Sequence, residues 1–169
     1  RVYEAVFDAQ GDILADGDPG LRLVVAGPDG WGAGALTAAV AAARHGDRIV
    51  RLGWVDEADR AALLAGAAAY AFPSVYEGFG LPPIEAMSAG VPVVTTQAGS
   101  LPEVCRDGAD LVAVGDADAL AAALERVVDD GAHRAALVER GRRVAAGYHW
   151  DVTAERFAEL LGQVASAGT

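Results

Sequence analysis

The stretch Pro73-Ser74-Val75-Tyr76-Glu77-Gly78-Phe79-Gly80-Leu81-Pro82-Pro83-Ile84-Glu85 holds the densest chemistry in the chain. Gly78 and Gly80 remove side chains where a ligand could approach the backbone. Pro82-Pro83 marks the first turn of a helix, whose partial positive charge and outward N–H groups favour a phosphate. Two carboxylates flank the glycines, which is unusual for a pure anion cradle. A carboxylate accepts hydrogen bonds from paired hydroxyls, as a ribose or hexose presents them. Backbone N–H groups for a diphosphate, with a hydroxyl-gripping acid on either side, suit a nucleotide sugar better than a dinucleotide. No GK[ST] follows, so this is no P-loop, and Gly78-Phe79-Gly80 lacks the third glycine of a dinucleotide fingerprint.

A plainer alternative accounts for the same residues: Glu77 and Glu85 as solvated acids near a helix start, with glycines that merely turn the chain. A glycosidase pair would need its acids about 5 Å or 6.5–9.5 Å apart across a glycosidic bond, a distance the spacing does not fix. Elsewhere, Cys105 lacks a neighbouring nucleophile pattern and reads as a small buried apolar residue. His45, His133 and His149 show no metal-ligand spacing and read as surface or helix-end residues.

Bulk properties narrow the field. The chain has 169 residues, a formal net charge of -11 and 53% hydrophobic residues, which suits one folded domain and excludes intrinsic disorder. Its cations are all Arg, and the pI is near 4.5. That balance argues against nucleic acid and against direct docking of this segment on anionic lipid. No apolar run approaches the roughly 18 residues of a membrane span, and Arg1-Val2-Tyr3-Glu4 does not open a signal peptide. A single cysteine fits a reducing compartment, hence the cytoplasm.

The elements that must position the loop follow from apolar runs and Gly/Pro punctuation. Strands are expected at Leu21–Ala26, Ile49–Leu52, Ala69–Phe72, Val91–Thr95 and Leu111–Val114. Helices are expected at Ala35–Arg44, from Asp56 to Gly66, at Pro83–Ala89, up to Cys105, and at Ala117–Val128, Ala132–Ala146 and Val152–Ala165. Asp56 and Asp116 are candidate N-caps. Alternating short strands and helices predict an α/β fold, a Rossmann-like parallel sheet flanked by helices. Ligands in such sheets bind beyond the carboxyl ends of the strands, where the Pro73–Glu85 loop falls.

Glu77 and Glu85 with seven residues between them, continued by Ala86-Met87-Ser88-Ala89-Gly90-Val91-Pro92-Val93-Val94, resemble the E-x7-E motif of retaining glycosyltransferases of the GT-B fold, family four type. Leu23-Val24-Val25-Ala26-Gly27, Leu52-Gly53-Trp54-Val55, Gly99-Ser100-Leu101-Pro102-Glu103 and Tyr148-His149-Trp150 resemble further signposts in the family's order. Gly27-Pro28-Asp29-Gly30-Trp31-Gly32 resembles a subgroup associated with GDP-mannose. The resemblance implies that Glu85 binds the ribose hydroxyls and that Glu77 contacts the transferred sugar. It implies that the N–H groups of Phe79, Gly80 and Leu81, beside Gly78, hold the diphosphate, and that the backbone at Val55 meets the base. Gly99, Pro102 and Glu103 shape a turn. No metal and no cofactor are implied, the nucleotide sugar being a substrate.

The family's domain opens with a strand and an Arg/Lys-bearing loop that have no counterpart here, and Arg1–Ala9 resembles the helix that follows. The expected strand order, 3-2-1-4-5-6, then lacks its central first strand. The chain is accordingly expected to be the donor-binding half of a two-domain transferase, inactive alone because donor and acceptor must be enclosed together. The absent N-terminal domain would hold the acceptor site and any membrane association. A non-catalytic nucleotide-recognition module on the same fold is the alternative, and a dinucleotide oxidoreductase domain a third.

Overall fold

A computed structural model describes residues 21–28 and 33–167. Among the described residues five short strands form two parallel sheets. β1 (Leu23–Ala26) pairs in parallel with β2 (Ile49–Gly53), with Val24 opposite Val50. β3 (Tyr70–Phe72), β4 (Val93–Thr96) and β5 (Ala109–Val112) form a second parallel sheet in the order β3-β4-β5. Parallel neighbours need crossovers, supplied by α1 (Ala33–Ala42), α2 (Glu57–Gly66), α3 (Leu81–Ser88) and α4 (Leu101–Cys105). Three helices follow β5: α5 (Ala117–Asp129), α6 (Gly131–Ala145) and α7 (Trp150–Ala167).

The expected α/β class is what the chain adopts. Among the described residues the strands divide into β1-β2 and β3-β4-β5; residues 1–20, which bear on the expected loss of the central first strand, lie outside the described residues. The proposed helix Arg1–Ala9 lies outside the described residues, as do Asp29-Gly30-Trp31-Gly32 of the GDP-mannose-like stretch.

β4 is buried along its whole length, as a strand covered on both faces must be. Its side chains alternate between two apolar layers. Val93 packs with Ile84, Met87, Leu101 and Cys105 on one face. Val94 packs with Val112, Leu120, Leu124, Val127 and Leu137 on the other. α6 contributes to both, through Leu137 to one and Val144 to the other. Cys105 is buried as expected, and burial pushes its thiol up to about 11.

Asp56 and Asp116 cap α2 and α5, accepting from the amides of Asp59 and Ala119. Asp130 caps α6 in the same way, and the His133 N–H bonded to it holds its carboxyl below the usual range.

β5 starts at Ala109, two residues before the apolar run suggested. Asp110, a poor strand former, is held there at 2.9 Å by Arg126 and at 2.8 Å by His133. His133 is thus a helix-end residue, in the first turn of α6, half-buried against Asp110. α7 likewise starts two residues before Val152, at Trp150.

α6 crosses the single turn Arg106–Gly108 at close range. A Cβ on Gly108 would lie 3.1 Å from the Gly141 Cα, and one on Gly141 would lie 3.1 Å from the Met87 Cγ. Gly141→Val should therefore overpack this crossing and destabilise folding by about 1–3 kcal/mol, read as a lower urea midpoint. An unchanged midpoint would contradict the close approach.

Candidate functional site

The loop between β3 and α3 is held by hydroxyls from the next strand and turn. Thr95 Oγ1 donates to the Phe72 carbonyl at 2.7 Å, and Thr96 Oγ1 donates to the Ser74 carbonyl. Both threonines are buried, where an unpaired hydroxyl would be costly, so the loop supplies the acceptors that β4 needs. Farther along, the Ser100 N–H donates to the Glu77 carbonyl at 3.2 Å, and Ser100 Oγ reaches the Phe79 carbonyl at 2.9 Å. The end of β3 and the loop thus turn carbonyls of Phe72, Ser74, Glu77 and Phe79 toward β4 and the turn after it.

Two glycines permit this seating. Gly99 has φ +51°, and a Cβ there would collide with the Glu77 carbonyl oxygen. Gly80, the N-cap of α3, has φ +99°, and its Cβ would lie 2.7 Å from Leu101 Cδ2. Gly78 differs: among the described residues, its chain neighbours aside, a Cβ there would meet nothing within 4 Å, so their packing does not require a glycine.

On the amide side, Glu77 Oε1 accepts from the N–H groups of Gly78 at 3.1 Å and Phe79 at 3.4 Å. Among the described residues the N–H groups of Gly80 and Leu81 have no partner. They stand at the positive end of α3, whose next two residues, Pro82 and Pro83, have no N–H to offer. Of the amides assigned to a diphosphate from sequence, those of Gly80 and Leu81 are thus open, and that of Phe79 is occupied by a carboxylate.

Glu85 lies one turn beyond Leu81 on the same helix face. Its Oε2 accepts from Arg60 of α2, which also bonds Glu57 at 2.7 Å. Glu57 and Glu85 together raise the basicity of the Arg60 guanidinium. Tyr70 lies in the same neighbourhood: burial first, then the charge of Glu85, pushes its hydroxyl up to about 12. Among the described residues Glu77 and Glu85 share no bonding partner, one being held by loop amides and the other by α2.

Val55 is half-buried in the turn between β2 and α2, and Trp54 beside it is 73% exposed, placing it on the rim. Phe79 meets the ring of Tyr148 edge-on at 5.9 Å, and the Tyr148 hydroxyl donates to the Val104 carbonyl at 3.1 Å. The segment between α6 and α7 therefore braces the loop. Sequence reasoning overlooked Thr95, Thr96, Arg60 and the hydroxyl of Ser100. Two threonines closing an apolar strand were a usable signal for the first pair, whereas nothing local marks Arg60 as the partner of Glu85.

Among the described residues no group of three or more His, Cys, Asp or Glu side chains could hold a metal, and no helix is long and apolar enough to cross a membrane.

Comparison with known proteins places these features in context. The family model described as glycosyl transferases group 1 matches residues 3–144. O-antigen chain mannosyltransferase B of Escherichia coli is 37% identical over 129 residues, covering 76% of this chain and 34% of that protein. MMP alpha-(1->4)-mannosyltransferase of Mycolicibacterium hassiacum is 46% identical over 94 residues, covering 54% of this chain and 23% of that protein. Sucrose-phosphate synthase of Thermosynechococcus elongatus superposes with a TM-score of 0.83 at 29% identity, covering 98% of this chain and 42% of the other. The chain thus spans between about a quarter and a third of the length of these two curated relatives.

Because the seat of the loop depends on Gly99, Gly99→Ala should both strain a positive φ and displace the Glu77 carbonyl. A loss of at least about 1 kcal/mol is expected in chemical denaturation. Wild-type stability in that variant would show that the loop is not seated on this turn.

Proposed function

The chain belongs to the glycosyl transferases group 1 family, and from that premise we propose that its β3–α3 loop binds the nucleoside-diphosphate part of a sugar donor. The observation that carries this is the pair of unpartnered N–H groups at Gly80 and Leu81, at the positive end of α3 and between two carboxylates. These amides hold the diphosphate. Glu85, with Oε2 anchored by Arg60, offers Oε1 to the ribose hydroxyls. The backbone at Val55 meets the base. Gly78, whose glycine identity packing does not require, leaves the approach to the backbone open.

Glu77 has two positions in this scheme. Without donor its carboxylate occupies the Gly78 and Phe79 amides. An arriving diphosphate displaces it, and the freed acid turns to the hydroxyls of the transferred sugar, which it positions without forming a bond to it. The donor takes part as a substrate, with no resident cofactor.

The reaction is proposed to be transfer of a hexose, with its configuration retained, to a glycan or lipid-linked acceptor. A leaving diphosphate oxygen helps to deprotonate the acceptor hydroxyl. The two mannosyltransferase relatives favour mannose, with GDP-mannose as the first donor to test. Acceptor binding and closure of the cleft are assigned to a longer protein, with the residues described here supplying the donor side alone.

Calorimetry of the full-length protein with GDP and UDP tests the scheme. Glu85→Ala should weaken nucleoside-diphosphate binding roughly 10- to 100-fold, the scale of a hydrogen bond to a charged group. Glu77→Ala should bind the diphosphate at least as tightly as wild type, because two amides are released, while sugar transfer is lost. Unchanged affinity in Glu85→Ala removes its ribose role, and weakened diphosphate binding in Glu77→Ala contradicts the displacement.

A further inference from the structure

We propose that Ser100 is a positioning residue for donor binding: its hydroxyl fixes the Phe79–Gly80 peptide so that the Gly80 N–H faces the diphosphate. The proposal rests on the nucleotide-sugar reading of the loop given above.

Ser100 occupies the N-cap of α4, where a serine side chain ordinarily accepts from an amide of its own first turn. It makes no such bond, and Pro102, at the second helical position, has no amide hydrogen to give it. The hydroxyl lies instead 2.9 Å from the Phe79 carbonyl and 3.2 Å from the Glu77 carbonyl. A hydroxyl has one proton to donate. Since the Glu77 carbonyl already receives the Ser100 N–H, the shorter contact, to Phe79, is the one the hydroxyl serves.

The consequence follows from peptide geometry. In a planar trans peptide the C=O and N–H point in opposite directions, and the Phe79–Gly80 bond is trans. Holding the Phe79 carbonyl against Ser100 therefore aims the Gly80 N–H away from α4, to the side on which it has no partner among the described residues. Gly80 has φ +99° and lacks the Cβ that would restrict rotation of this peptide. The peptide needs an outside restraint to stay aimed, and restraint before binding lowers the ordering cost of binding. The attachment of the loop does not depend on this one proton, because Thr95, Thr96 and the Ser100 N–H each hold it elsewhere.

Ser100→Ala removes the hydroxyl and keeps the backbone bond to Glu77. Binding of GDP, UDP and the corresponding free nucleosides to the full-length protein is to be compared in wild type, Ser100→Ala and Ser100→Thr, with circular dichroism to confirm folding. The expected result is diphosphate affinity about tenfold weaker in Ser100→Ala, nucleoside affinity unchanged, and diphosphate affinity restored within about threefold by Ser100→Thr, which keeps a hydroxyl proton to donate. Equal losses for diphosphate and nucleoside, wild-type affinity in Ser100→Ala, or failure of the threonine variant to restore binding would each overturn the assignment. Absence of diphosphate binding by wild type would instead refute the nucleotide-sugar reading, and this proposal with it.

Discussion

The candidate site depends on which way a few peptide planes face. A loop of 73–80 could present carbonyls or amides to the open side with little difference in length or hydrophobicity. Hydroxyl and amide groups from β4 and the turn beyond it take the carbonyls of Phe72, Ser74, Glu77 and Phe79. Because each trans peptide points its two polar groups oppositely, the N–H groups of Val75, Gly78 and Gly80, which follow Ser74, Glu77 and Phe79, are directed away from β4 and the turn after it. β4 gains as well, since Thr95 and Thr96 are buried and must find acceptors. In the proposed scheme, fold stability and anion recognition use the same bonds.

Charge explains why orientation matters so much. The chain carries a net charge of -11, an unfavourable background for a diphosphate. Salt screens distant charges beyond about 8 Å at physiological ionic strength, so groups in direct contact decide the outcome. α3 provides its positive end but, with Pro82 and Pro83, few amides, which concentrates the donor capacity on Gly80 and Leu81. Arg60 offsets the charge of Glu85 while leaving one of its oxygens unengaged by that bond. Glu77 meanwhile satisfies the Gly78 and Phe79 amides with a negative group of the chain's own.

Much of this was legible in the sequence. Apolar runs pointed to each of the five described strands, with β5 shifted by two residues, and Asp56 and Asp116 marked true helix starts. The Glu77–Glu85 loop was found because glycine, proline and acidic residues are locally distinctive. β5 was misplaced because Asp110 owes its strand position to Arg126 and His133, sixteen and twenty-three residues away. For the same reason the pairing of Arg60 with Glu85 was invisible: it is a contact between helices with no local pattern. The diverted hydroxyl of Ser100 was hidden by a competing rule, since serine before a short helix reads as an ordinary cap.

The most direct measurement is the amide nitrogen and proton resonances of residues 77–81 in the full-length protein during titration with a nucleoside diphosphate. The expected result is a large, saturable downfield shift at Gly80 and Leu81, with the Gly78 and Phe79 signals moving at the same ligand concentration as the Glu77 carboxylate leaves them. Saturable binding that leaves the Gly80 and Leu81 amides unmoved would contradict the central claim that these peptides form the anion site.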